Sequence, residues 1–170
     1  MSRSADDGLV PDPQVACACG RLRRATRALT QLYDDALAPA GLRVTQFSLL
    51  RTLAQHGPLR ISELAARQLL DRTALSRNLE PLIARGLVST TAGADARTRQ
   101  VALTPAGARE LRAAAPAWRR AQAEVRERVG GPKLDALIAV LGEIETLHPR
   151  TQARRASRPR ATATSTERSP

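Results

Sequence analysis

Lysine and aromatic side chains are nearly absent from this 170-residue chain. Lys133 is its one lysine, and Tyr33, Phe47 and Trp118 are its only aromatic residues. So few flat side chains exclude a single-strand binder that stacks bases on aromatic platforms. They leave a core of Leu, Ala, Val and Ile, and Leu and Ala are strong helix formers. Two cysteines, Cys17 and Cys19, stand too close together to staple a fold. No apolar run approaches the roughly 18 residues of a membrane span. The start carries Asp6 and Asp7 and lacks a basic stretch followed by an apolar one, so no secretory signal is expected. A cytoplasmic setting follows, in which thiols stay reduced. There is no glycine-rich phosphate loop, no His-Glu-x-x-His and no paired set of metal ligands. Neither His56 nor His148 has a plausible nucleophile near it in sequence. No enzyme, cofactor or bound metal is expected.

What the chain has in quantity is arginine. Lys and Arg total 27 against 16 Asp and Glu, a net charge of +11. The guanidinium fork suits phosphates and guanine edges, and such an excess points to a polyanionic partner. Hydrophobic residues make up 42%, enough for a core.

Residues 1–13 are polar, end in Pro11-Asp12-Pro13 and read as a flexible lead-in. From Val15 to Leu37 the apolar residues Leu22, Ala25, Leu29, Leu32 and Ala36 recur at steps of three and four, a helical stripe. Pro39, Ala40 and Gly41 break it. Thr45 is placed as the N-cap of a second helix carrying Phe47, Leu50, Leu53 and Ala54, stopped at Gly57-Pro58. A short helix near Ser62–Gln68 turns Leu64 and Ala65 inward. After Leu69 and Leu70, Asp71 caps a helix from Arg72 to Arg85 that buries Leu75, Leu79, Leu82 and Ile83. Gly86 fits just past its end. Leu87–Thr91 and Gln100–Leu103 read as two strands of a hairpin turning at Ala92–Ala96. Thr104-Pro105 opens a long helix. Its stripe is Ala108, Leu111, Ala115, Trp118, Gln122, Val125 and Val129, and Pro116 should kink it. A last helix carries Leu134, Leu137, Ile138, Leu141 and Ile144. Residues 149–170 read as a disordered basic tail. Six arginines there, set against Glu167, supply five of the eleven net charges.

Helix, short helix, tight turn, helix and hairpin in that order form a pattern with a function. The second helix of a helix-turn-helix enters the major groove, where its N-terminal side chains meet base edges. Those side chains here are Arg72, Thr73, Ser76 and Arg77, and Arg72, Ser76 and the turn residues lie on a different face from Leu75, Leu79 and Leu82. A solvated surface face would look the same in isolation. The hairpin tip adds Asp95, Arg97 and Arg99. The arginines can reach a narrow minor groove, and Asp95 can pair with one of them. A charged turn is common, but one directly behind a recognition-type helix is less so.

Taken together, Ser62-Glu63-Leu64-Ala65, Leu70-Asp71-Arg72-Thr73-Ala74-Leu75-Ser76-Arg77-Asn78-Leu79, Arg85-Gly86-Leu87-Val88, Asp95-Ala96-Arg97-Thr98-Arg99 and Leu103-Thr104-Pro105-Ala106-Gly107 resemble the MarR family of bacterial regulators over roughly residues 15–147. The resemblance implies a mostly α fold with a small β-hairpin wing, a winged helix-turn-helix joined to a dimerisation region of terminal helices. It places a dimerisation helix at 14–38, the DNA-binding domain at 42–104 and further dimerisation helices at 105–148. It also implies a homodimer on a pseudo-palindromic double-stranded operator, with half-sites about 10 bp apart. The usual activity would be repression relieved by a small molecule or an oxidant. DNA contacts map onto Asp71, Arg72, Thr73, Ser76, Arg77, Asn78, Asp95, Arg97 and Arg99. Two departures matter. Ser89, Thr90 and Thr91 stand where many relatives have a basic residue. The wing holds the small residues Ala92, Gly93, Ala94 and Ala96. Few phosphate contacts from the wing follow, and the tail arginines are the candidate substitute.

Cys17-Ala18-Cys19 remains open. The pair can be a redox sensor, a soft-metal site or two unremarkable thiols. Positions i and i+2 of a helix diverge by about 200°, so only an opened first turn lets both thiols meet. A metal would also need His56, His148 or a partner's thiols. The rival to a sequence-specific regulator is a sequence-tolerant architectural protein of the nucleoid, holding phosphates alone. A winged helix serving as a protein-interaction module is a weaker third reading.

Overall fold

The computed structural model describes residues 17–92 and 99–149. The expected lead-in, wing turn and basic tail fall on or largely outside its limits. Helix α1 spans Ala18–Leu37 and ends in a 3-10 turn, Ala38–Ala40, closed by Gly41 at φ 62°. Helix α2 (Val44–His56) is followed by strand β1 (Leu59–Arg60), α3 (Ile61–Arg67) and α4 (Arg72–Ala84). Strands β2 (Val88–Ala92) and β3 (Arg99–Leu103) precede the two C-terminal helices, α5 (Pro105–Val129) and α6 (Gly131–Glu145).

The hairpin is a three-stranded antiparallel sheet in the order β1-β3-β2. Leu59 lies opposite Val101, and Thr90 opposite the same residue on the other side. Sequence periodicity misses β1, because two residues after Gly57-Pro58 carry no period. Their strand character comes from pairing with β3, some forty residues away.

The core belongs to the winged lobe. Leu49, Leu50, Leu53, Leu64, Leu75, Leu82 and Val101 are essentially inaccessible, and Leu37 and Ala114 seal it from the arms. Each fully buried Leu contributes about 1.5–3 kcal/mol relative to exposure. Phe47 of α2 stacks on Trp118 of α5, ring centroids 5.7 Å apart and planes 16° from parallel. The Arg51 guanidinium lies 5.3 Å from the Trp118 centroid, a cation over the ring face.

Three expectations need correction. Thr45 does not cap α2. The helix starts one residue earlier, where Gln46 Oε1 accepts from Arg43 N at 3.0 Å and Asp34 Oδ1 accepts from Val44 N at 2.7 Å. Ile83 is 42% exposed, because the buried stripe of α4 is only Leu75, Leu79 and Leu82 wide. On α5 the fully buried residues are Gly107, Ala114, Ala121 and Val125. The helix thus approaches the lobe on its small residues, leaving Leu111 and Trp118 half-buried at the margin. Pro116 lies inside α5, which runs from Pro105 to Val129. Other caps agree with the sequence. Asp71 Oδ1 accepts from Ala74 N, and Thr104 Oγ1 accepts from Gly107 N.

Polar ties join the arms beside the buried Ala121, Val125 and Leu134. The Tyr33 hydroxyl on α1 donates to Gln122 Oε1 on α5. Arg126 donates through both terminal nitrogens to Asp135, at 2.8 and 2.9 Å, joining α5 to α6. That hydrogen-bonded charge pair lowers the Asp135 pKa and raises that of Arg126. Among the described residues, Leu37 is the one buried position of α1 and Leu134 that of α6. No helix among the described residues is long and apolar enough to cross a membrane.

Candidate nucleic-acid interface

The turn between α3 and α4 is built from Gln68, Leu69, Leu70 and Asp71. Leu69 sits at φ 52°, in the left-handed region that costs a branched side chain roughly 1–2 kcal/mol. Neighbours over-determine it. Leu70 N donates to Ala65 O at 2.9 Å, and Gln68 N to Leu64 O at 3.1 Å. The Gln68 amide donates to Thr52 Oγ1 at 2.8 Å and accepts from Ser48 Oγ at 3.3 Å. One side chain therefore pins the turn to α2.

Beyond the turn, Asp71 Oδ1 accepts from Ala74 N at 2.7 Å and fixes where α4 begins. With Leu75, Leu79 and Leu82 buried, the 3.6-residue period turns Arg72, Thr73, Ser76 and Arg77 outward. Asn78 lies half-buried at the edge of that face. Neither Arg72 nor Arg77 has an ion-pair partner among the described residues, so two unneutralised guanidinium groups stand on one exposed face. Ser76 Oγ donates to Arg72 O at 2.9 Å, leaving its lone pairs free to accept. The structure thus gathers four of the nine residues expected at the site on the α4 N-terminal half, with Asn78 beside them and Asp71 in a capping role. Arg99 opens β3 and is exposed. Asp95 and Arg97 lie outside the described residues.

Sequence reasoning missed the joint at the other end of α4. Arg85 Nη1 donates to Gly41 O at 2.6 Å, and Arg85 Nη2 pairs with Glu110 Oε1 at 2.9 Å. Next to it, Thr104 Oγ1 donates to Gly86 O at 2.7 Å. A Cβ on Gly107 would stand 2.0 Å from Leu87 O, so only glycine admits the approach of α5 to the lobe. Gly107 and Glu110, three residues apart, share one face of α5, and Thr104 caps it. The Leu-Thr-x-x-Gly spacing carried half of this signal; Arg85 carried none, since its partners are 44 and 25 residues away.

Cys17 and Cys19 are both exposed, with no disulfide. Cys17 is the N-cap of α1, its Sγ accepting from Gly20 N at 3.4 Å. Among the described residues no group of three His, Cys, Asp or Glu gathers to hold a metal. His56 Nε2 lies 3.1 Å from Arg67 Nη1 instead.

The MarR family profile matches residues 40–98, which span the end of the 3-10 turn through the helix-turn-helix to the wing. Over a longer stretch the chain is similar to the transcriptional regulator MosR of M. tuberculosis, solved in complex with DNA. Identity is 46%, coverage is 85% of this chain and 100% of that one, and the TM-score is 0.68. The chain belongs to the MarR family. A second structure of MosR matches at 44% identity over 77% of this chain and 96% of that one, with a TM-score of 0.67. A probable transcriptional regulator from Pseudomonas aeruginosa matches at 26% identity over 75% of this chain and 96% of that one, with a TM-score of 0.69. No curated protein sequence matches the chain. This MarR-family chain is a transcriptional regulator, neither an enzyme nor an architectural packaging protein. In this fold β1 pairs with β3 and lies against α3.

Proposed function

We propose that the chain binds a pseudo-palindromic operator as a homodimer and represses transcription until a small molecule or an oxidant releases it. The observation that carries this reading is the unpaired polar face of α4. Arg72 and Arg77 are suited to guanine edges or phosphates, and Thr73 and Ser76 to either. Phosphate contacts set register and base contacts set sequence. MosR, solved on DNA, lends the same reading from a relative.

The dimer rests on surface left uncovered. Leu137, Val140, Ile144 and Leu147 of α6 and its C-terminal end recur at steps of three and four, and each is at least 38% exposed. The N-terminal half of α1 diverges from α6 and leaves a groove of about 580 Å³ lined by Leu22, Ile144 and Leu147. A second copy is the occupant with matching apolar stripes. In the dimer, residues 14–38 and 105–148 act as dimerisation arms and 42–104 as the DNA-binding domain.

Release by an oxidant is read from Cys17 and Cys19, which flank the first turn of α1. Cys19 also borders the groove. A peroxide accepting two electrons and two protons from the pair would leave a disulfide and water. That bond needs the first turn to open, because i and i+2 diverge on a helix, and it removes the Cys17 cap.

Fluorescence anisotropy on the DNA upstream of the chain's own gene, against a scrambled duplex at several salt concentrations, tests the operator reading. A preference of about a thousandfold or more supports it. Equal, steeply salt-dependent binding to both would overturn it for that site. A Cys17→Ser/Cys19→Ser variant that still releases DNA on peroxide treatment would remove the thiols from the mechanism.

A further inference from the structure

The C-terminal end of α4 is where the recognition helix meets both arms. Arg85 follows the last residue of α4, and its guanidinium faces away from its own helix. One terminal nitrogen donates to Gly41 O at 2.6 Å. The other donates to Glu110 Oε1 at 2.9 Å and reaches Ala40 O at 3.4 Å. Ala40 and Gly41 form the bend between α1 and α2, with Gly41 left-handed at φ 62°. Glu110 lies on the first turns of α5. Arg85 also packs on Gly41, where an added Cβ would meet its Nη1 at 3.6 Å. Three elements distant in sequence thus converge on one side chain. α1 leads in from one arm, α5 leads out into the other, and α4 carries the exposed face.

We propose that Arg85 is a positioning residue that fixes the pitch of α4 against the arms, and so fixes which half-site spacing the dimer accepts. The proposal rests on the operator reading above and adds a specificity determinant that touches no base.

The chemistry favours arginine at this point. Its planar fork reaches two carbonyl oxygens and a carboxylate together, a geometry one ammonium on a flexible stem does not reproduce. The other contacts of the joint, Thr104 to Gly86 O and Gly107 beneath Leu87 O, hold α5 to the strand side of the lobe. They do not reach the bend between α1 and α2. Asp34 adds a tie from α1 to the start of α2 through Val44 N. That tie lies within the α1–α2 bend and does not reach α4. Arg85 alone among these side chains bridges α4 to the bend. Because a two-fold dimer repeats every angle, a small change in the pitch of α4 appears twice in the separation of the two recognition helices. The operator reads that separation as base pairs between half-sites.

The test uses the full chain and a pool of randomised duplexes about three helical turns long. Wild type, Arg85→Met, Arg85→Lys and Glu110→Gln each select from the pool, and the enriched duplexes are sequenced. Wild type is expected to enrich one half-site at one spacing. Arg85→Met should enrich the same half-site across neighbouring spacings. On the wild-type winner its anisotropy should show roughly tenfold weaker binding, as when a coupling contact is removed without touching the ligand. Arg85→Lys should behave like Arg85→Met, and Glu110→Gln should broaden the spacing less. If Arg85→Met melts too early to assay, Glu110→Gln carries the comparison, since its carboxamide keeps the shape of the joint. An unchanged single spacing with only a lower Tm would overturn the proposal and leave Arg85 a stabilising residue. A changed half-site sequence would overturn it too, by making Arg85 a base reader. No enrichment by wild type would sink the operator reading itself, a failure seen before any variant is compared.

Discussion

Leu50, Leu53, Leu75 and Leu82 in the winged lobe are each at most 1% exposed, whereas Ile138, Val140 and Leu147 in or just past α6 expose 53%, 50% and 72%. The two regions draw on the same aliphatic residues at the same helical spacing. In the lobe, three helices and a sheet converge, so each apolar face meets another. In the arms, α6 touches only α5 to any extent, and the first half of α1 is largely exposed. The contrast shows that periodicity announces an apolar face without saying which molecule will cover it. The lobe covers its apolar faces within one chain, whereas the arms leave theirs open to solvent.

The largest effect should come from charging the arms. Val140→Glu/Ile144→Glu is expected to sediment as a monomer at micromolar concentration. Operator affinity should fall about a hundredfold or more, because the second half-site is no longer bound intramolecularly. A variant that still sediments as a dimer would break the contrast. Within the lobe, Leu75→Ala should cost about 2–5 kcal/mol of unfolding free energy in urea titration. A loss below about 1 kcal/mol would mean that the lobe core is less self-sufficient than its burial implies. Arg77→Ala should leave folding and sedimentation unchanged. It should weaken the selected duplex by about 1–3 kcal/mol with little change on random DNA. An equal loss on both would turn that side chain into a phosphate contact. The smallest effect belongs to the turn. Leu69→Asn should raise stability by about 0.5 kcal/mol, since Asn tolerates the left-handed region at lower cost. A fall in Tm would show that the half-buried Leu69 side chain matters more than its backbone.

Much of the lobe was legible because its signals are local. Asp71 sits three residues before the N–H it caps, Gly86 follows the helix it ends, and Leu75, Leu79 and Leu82 repeat at the helical period. The recognition face came from the same arithmetic, as what that stripe leaves outside. The remainder depends on distant pairing. Leu59-Arg60 becomes a strand only beside β3, and Arg85 acquires meaning only when the bend at Gly41 and the start of α5 fold against it. Thr45 looked like a cap because nothing in sequence says that Asp34, ten residues earlier, turns back to hold Val44 N. On α5, larger apolar residues drew the expected stripe. Close packing instead selected Gly107, Ala114 and Ala121, since a long helix comes nearest to its neighbours on small side chains.

The pairing of Phe47 with Trp118 has an optical consequence. Trp118 is the chain's one indole, so its tryptophan emission originates at a single place, the seam where α2 of the lobe meets α5 of the arm. A guanidinium rests on one side of that ring and a phenyl beside it. Any sliding of arm past lobe changes both the charge and the polarity around the indole. The protein thereby carries one built-in fluorophore at that seam, with no other tryptophan to obscure it.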